Sequence, residues 1–216
     1  MNLEGLQHIV VEGPIGAGKS RLANQLAERL GGEPLLEQSQ DNPFLERFYR
    51  DPAKAAFPTQ LFFLMQRAEL LGRVRQGDLF APRVVADFLF AKDRLFAELN
   101  LDAHEFDLYQ RVWSTLVTAV PTPDLVIYLQ APAGVLQERL RRHASGPEAG
   151  LEGDYLERLA SAYVDFFHHY ADSPVLIVNN AAIDPADDPD HLDMLLEEIG
   201  RMQSVRHYFN LDSSVL

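Results

Sequence analysis

The sequence predicts an α/β chain in three layers, αβα, with a five-stranded parallel sheet, helices on both faces and a short arginine-bearing lid. Three observations predict it. Short β-branched runs alternate with longer stretches in which apolar residues recur every three or four positions, the order of βαβ units. The short runs are apolar nearly throughout instead of at every second residue, as in strands covered on both sides. Clusters of Gly, Pro and Asp separate one kind of stretch from the next. With 216 residues, 47% of them hydrophobic, the chain has material for one well-buried domain over 1–216.

The first strand is expected at 8–12, His8-Ile9-Val10-Val11-Glu12, and a glycine-rich turn leads from it into a helix over 19–30 that Gly31-Gly32 closes. A second strand at 34–37 is followed by a helix over 57–75. The third strand, 83–87, precedes a helix over 104–120, which Pro121-Thr122-Pro123-Asp124 separates from the fourth strand at 125–130. Helices over 134–142 and 154–170 flank Ala144-Ser145-Gly146-Pro147, and the lid is expected over about 139–152. The fifth strand is 175–179. The proline- and aspartate-rich stretch 181–190 reads as an exposed loop, 192–205 as the last helix and 210–216 as a mobile tail.

The formal net charge of -13 argues against a broad footprint for nucleic acid or anionic lipid, so a phosphate-bearing partner must meet a local basic pocket. The chain has no cysteine, which removes disulfide frameworks and thiolate metal sites. Its start lacks the basic and long apolar regions of a signal peptide, and no apolar run is long enough to span a bilayer; a cytoplasmic location is expected, with no membrane and no nucleic-acid partner.

Gly13-Pro14-Ile15-Gly16-Ala17-Gly18-Lys19-Ser20 matches G-x-x-x-x-G-K-[ST] between a strand and a helix. A glycine-rich turn aims backbone N–H groups at phosphate oxygens, and the helix N-terminus adds a positive dipole. Gly13, Gly16, Ala17, Gly18, Lys19 and Ser20 are therefore expected to cradle the phosphates of ATP, with the Lys19 ammonium on the β and γ phosphates and the Ser20 hydroxyl on Mg²⁺.

Open parallel sheets bind ligands beyond the carboxyl ends of their strands. Glu37 and Asp87 terminate apolar runs there, one suited to take a proton from an attacking hydroxyl and the other to hold the metal or its water shell. Glu12, also at a strand end, is expected to support the phosphate loop. Arg139, Arg142 and His143 share a helix face by three- and four-residue spacing, whereas Arg141 points elsewhere; guanidinium groups there can close over a triphosphate.

Together these residues resemble the deoxyribonucleoside kinase family, in particular its bacterial deoxyadenosine and deoxyguanosine kinase branch. The likeness extends through Asn42-Pro43-Phe44-Leu45-Glu46-Arg47-Phe48-Tyr49, Asp51-Pro52, Phe57-Pro58-Thr59-Gln60-Leu61, Tyr128-Leu129-Gln130-Ala131 and Tyr155-Leu156-Glu157-Arg158-Leu159. The resemblance implies ATP- and Mg²⁺-dependent phosphorylation of a deoxyribonucleoside 5′-hydroxyl. It implies Glu37 as general base, Arg139 as a lid arginine, Tyr49 and Glu148 on the sugar, and Gln60 and Arg67 on the base with Asp93 beside Arg67. Gln60 and Arg67 stand two helical turns apart, so they face one pocket. The family's dimers imply a homodimer through the helices at 57–75 and 104–120. One departure stands out: where the family has an acid followed by Arg and Ser, this chain has Asp87-Phe88-Leu89, so the family's positioning of the 5′-oxygen depends here on compensation by Arg94 or a lid residue. Two other readings share the phosphate loop. A nucleoside monophosphate kinase would need further cations for an acceptor phosphate, and these are sparse between Leu35 and Phe90; a nucleotide-dependent regulatory switch would leave Tyr49, Gln60, Arg67 and Asp93 idle.

Overall fold

A computed structural model describes residues 3–75, 82–118, 120–143, 146, 148, 151 and 153–211. Residues 144, 145, 147, 149, 150 and 152 of the expected lid and 212–216 of the expected tail lie outside the described residues.

The described strands are β1 (His8–Glu12), β2 (Glu33–Leu35), β3 (Val84–Ala86), β4 (Leu125–Gln130), β5 (Val175–Asn179) and β6 (Arg206–Phe209). They form one sheet in the order β2-β3-β1-β4-β5-β6, every pair parallel. The sheet thus has six strands and not the five expected. β6 escaped because Arg206 and His207 break the apolar run and Tyr208 is exposed, as an edge strand allows. Pro34 sits in β2 at the other edge, where a missing N–H leaves no ladder bond unmade.

Side chains alternate across the sheet and divide the core in two. Ile9 and Val11, Leu125, Ile127 and Leu129, and Leu176 and Val178 meet α1 (Lys19–Leu30) and α8 (Pro189–Arg201). Val10, Val126 and Tyr128, and Val175 and Ile177 meet the other layer: α3 (Pro52–Arg75), α4 (Lys92–Asn100), α5 (Ala103–Val117) and α7 (Gly153–His169). In that layer Tyr128 stacks on Phe167 with centroids 4.1 Å apart. Two further helices, α2 (Leu45–Arg50) and α6 (Ala133–His143), flank the carboxyl edge of the sheet.

Several boundaries differ from the sequence reading for local reasons. α3 starts at Pro52, a residue suited to a first turn, and runs through Pro58, where the helix had been expected only from 57. α8 stops at Arg201, not 205. The stretch 181–190 is not simply an exposed loop: Ile183 and Ala186 are buried against the core. From β1 the chain passes to β2 and β3 on one side and later to β4, β5 and β6 on the other. β1 is therefore the switch point, and the crevice at its carboxyl end is where such sheets hold ligands.

Candidate active site

The turn after β1 lies at that crevice. Gly13 runs so close to β4 that a Cβ there would come within 2.8 Å of the Leu129 carbonyl oxygen, and Gly18 takes φ 89°, a left-handed conformation that other residues adopt at a cost. α1 begins at Lys19, so its first N–H groups, which have no intrahelical partner, and its positive end face the turn. The Lys19 ammonium folds over the turn and donates to the carbonyls of Gly13 (2.9 Å) and Pro14 (3.1 Å). Burial, followed by the charge of Lys92, pushes Lys19 down to about 8.

Glu12 braces this turn from below. Its Oε1 accepts from the Gly13 N–H (2.8 Å) and the Tyr163 hydroxyl (3.0 Å), and its Oε2 accepts from the Leu89 N–H (2.6 Å). Asp87 follows β3 directly. Its Oδ2 accepts from the Ser20 hydroxyl and its Oδ1 from the Glu37 N–H (2.7 Å), while burial pushes its carboxyl up. A hydroxyl and a carboxylate oxygen meeting beside a phosphate loop are hard oxygen donors that fit Mg²⁺. No cluster of three or more His, Cys, Asp or Glu that could hold a metal occurs among the described residues, so the remaining ligands would be phosphate oxygens and water.

Two cavities open on either side of this loop. The first, about 420 Å³, extends from Gly16, Gly18 and Ser20 to Arg139, His143 and the 184–187 turn. Arg139 donates to the Asn180 carbonyl (2.9 Å) and to Asp184 (2.7 Å), and Asn180 in turn donates to the Ala17 carbonyl (2.9 Å). Arg142 is turned outward onto Glu138, so the expected trio of Arg139, Arg142 and His143 reaches the cavity as a pair. Sequence reasoning missed the contribution of Asp184, Ala186 and Asp187, because a stretch rich in Pro and Asp carries the signature of an ordinary loop.

The second cavity, about 220 Å³, holds Glu37, Tyr49, Gln60, Arg67, Asp87 and Glu148 in its wall, with Phe48, Phe63 and Phe96 as apolar lining. Glu37 lies two residues beyond β2 and is almost enclosed. Arg67, buried on α3, reaches Glu37 with one nitrogen and the fully buried Asp93 with the other. Burial pushes Glu37 up, but Arg67, then Lys92 and Lys19, pull it down to about 2. Burial lifts Asp93 to about 6 against the pull of Arg67. Tyr49 is held well above its ordinary value by burial and the nearby Glu148. Asp93 lies behind Arg67 and not in the cavity wall. Ile15, Gly16, Lys19, Ser20 and Glu148 line both cavities, which therefore share a wall made largely of the phosphate loop.

The deoxynucleoside kinase family matches residues 9–203, nearly the whole of this architecture. The chain belongs to the deoxynucleoside kinase family. It is 34% identical over 158 residues to the deoxyguanosine kinase of Bacillus subtilis (strain 168), covering 72% of this chain and 75% of that one. It is 30% identical over 216 residues to the deoxyguanosine kinase of Lactobacillus acidophilus, covering 90% and 92%. Among solved structures, deoxyadenosine kinase from M. mycoides with bound dATP superposes with a TM-score of 0.77 over 89% of this chain and 98% of that chain, at 23% identity, a likeness of fold.

For a deoxynucleoside kinase, the departure after β3 has a visible structural cause. Phe88 and Leu89 are apolar and pack in the core, so these two positions supply no cation to the site. Arg94 does not compensate, because it lies on the outer surface paired with Glu98 (2.9 Å). The cation beside Glu37 is instead Lys92, which sequence reasoning missed. Its signal was present: Lys92, Leu95, Phe96 and Leu99 fall at i, i+3, i+4 and i+7, so a helix that buries the last three buries Lys92 with them.

Proposed function

We propose that the protein transfers the γ-phosphoryl group of ATP, with Mg²⁺, to the 5′-hydroxyl of a purine deoxyribonucleoside, deoxyadenosine or deoxyguanosine. The observation that carries this reading is the shared wall: a phosphate loop with a donor cavity on one side and, on the other, a second cavity lined by Glu37. In this reading the nucleoside oxygen bonds to the γ-phosphorus as the bond to the bridging oxygen of ADP breaks, and the hydroxyl proton passes to Glu37. With its pKa near 2, Glu37 is ionised and able to accept. A weak base suffices where the transition state is loose and the proton leaves late. Lys19 and Arg139 meet the charge that spreads over the transferred group. Mg²⁺, held by Ser20 and Asp87 when bound, would neutralise phosphate charge.

In this reading Gln60 offers a donor and an acceptor to a base edge, Arg67 is held by Asp93 in the same cavity, and Tyr49 and Glu148, also in its wall, would take the sugar. The names of the two curated relatives support a purine base. A monophosphate as acceptor is disfavoured, because Arg67 and Lys92, the cations facing the second cavity besides Lys19, are already bound to carboxylates. The proposal includes a homodimer through α3 and α5, on which Met65 and Leu108 are about half exposed. It also includes a cytoplasmic location; no described helix is long and apolar enough to cross a membrane.

The test is incubation with ATP, Mg²⁺ and each deoxynucleoside or deoxynucleotide separately. Formation of dAMP or dGMP is expected. Phosphorylation of monophosphates but of no nucleoside overturns the reading.

A further inference from the structure

Lys92 occupies a place where the fold alone would not put a cation. It opens α4, so its charge stands at the positive end of a helix dipole, and its side chain is only 3% exposed. Burying an ammonium is unfavourable unless carboxylates surround it. Two do: Glu37 Oε2 lies 3.3 Å from Lys92 Nζ and Glu12 Oε2 lies 3.6 Å away, with the Phe96 ring centroid at 5.9 Å. Glu12 is fully engaged in bracing the phosphate loop and the start of the β3–α4 turn. Lys92 therefore ties the brace of the donor side to the acid of the acceptor side.

The two oxygens of Glu37 are held differently. Oε1 is in direct contact with the Arg67 guanidinium, whose other arm is anchored by Asp93. Oε2 faces Lys92 at a longer distance, across a side chain that lines the same cavity. Arg67 thus holds one oxygen, and the other stands opposite the Lys92 ammonium beside the cavity that Glu37 and Lys92 both line.

We infer that Lys92 is a positioning residue for phosphoryl transfer, holding Glu37 Oε2 toward the acceptor hydroxyl where Phe88 and Leu89 supply no cation. The inference rests on the phosphotransferase reading above. Lys92 acts through Glu37, so its removal changes turnover more than nucleoside binding, and a second cation at the same position replaces it.

Steady-state kinetics with the best deoxynucleoside test this on the purified full chain. Lys92→Met is expected to lower kcat about 100-fold with nucleoside KM changed less than about threefold, and Lys92→Arg to recover at least about tenfold of the loss. Because a buried pair of carboxylates left without its cation can cost the fold, the deciding comparison is Glu37→Gln against Glu37→Gln/Lys92→Met, in which one charge of each sign leaves together. Equal kcat within about threefold in those two variants supports action through Glu37. A further drop of about tenfold or more in the double variant overturns it, as does an undiminished kcat in Lys92→Met. A wild-type protein that phosphorylates no deoxynucleoside overturns the phosphotransferase reading and this one with it, whereas an active wild type with indifferent Lys92 variants overturns this one alone.

Discussion

The donor and acceptor sides of the phosphate loop are built by different rules. The donor side is mostly local: one continuous run from Gly13 to Ser20 supplies the turn, the ammonium and the helix end, and Arg139, Leu140, His143, Glu148 and the 184–187 turn join it from elsewhere. The acceptor side is assembled from residues far apart in the chain, and its charges satisfy one another: Arg67 with Glu37 and Asp93, Lys92 with Glu37 and Glu12. Removing a donor-side group should therefore cost catalysis and little stability, whereas removing an acceptor-side group should cost both.

The largest effect expected from this contrast is on stability. Arg67→Met leaves Glu37 and Asp93 without their shared cation, a loss of about 3–5 kcal/mol for a buried pair broken on one side. That is a large part of the total stability of an ordinary domain, and nucleoside KM should rise with it. Urea unfolding with and without nucleoside measures both; a variant as stable as the wild type breaks the contrast. Next comes Lys19→Ala, expected to lower kcat/KM for ATP by about two to three orders of magnitude while the melting temperature barely moves. Among the described residues its ammonium hydrogen-bonds the Gly13 and Pro14 carbonyls and no carboxylate, so no buried ion pair is broken. A melting temperature that falls as in Arg67→Met would show the donor side to be part of the same network.

The smallest effect is with pH, and it runs in opposite directions on the two sides. Lys19 is held at about 8, so above that value the free enzyme presents a neutral amine, and kcat/KM for ATP should fall up to about tenfold per pH unit. Glu37 is held at about 2, below its ordinary 4.5. The stability its ionised form contributes is complete above about 4.5 and disappears as pH falls toward 2. A kcat/KM profile for ATP and an acid-unfolding curve report the two limbs separately.

The same contrast decided what the sequence disclosed. β1, β4 and β5 are unbroken apolar runs, and their bounds coincide with the structure. The phosphate loop announces itself because its residues are consecutive. α4 did not, because its inward face opens with Lys92 and Asp93, charges that a binary pattern assigns to solvent. α2, six residues long, is too short to show a period. Glu37 could be nominated from its strand end and Arg67 with Asp93 as a pair from the family resemblance, but the contact of Arg67 with Glu37 depends on how β2 and α3 converge, which no local spacing encodes. Arg142 fails in the reverse sense: helical periodicity places it with Arg139, yet its side chain prefers Glu138 one turn back and the water outside.

The folded-over Lys19 has a further consequence. Its ammonium has two carbonyl partners in the turn it closes. An incoming triphosphate exchanges those partners for its own oxygens, and the net gain is only the difference between the two sets. The departing diphosphate is released into the reverse exchange, with the lysine returning to its own backbone. Each carbonyl bond that Lys19 makes within its own turn is thus subtracted from the affinity a bound phosphate could gain from that ammonium.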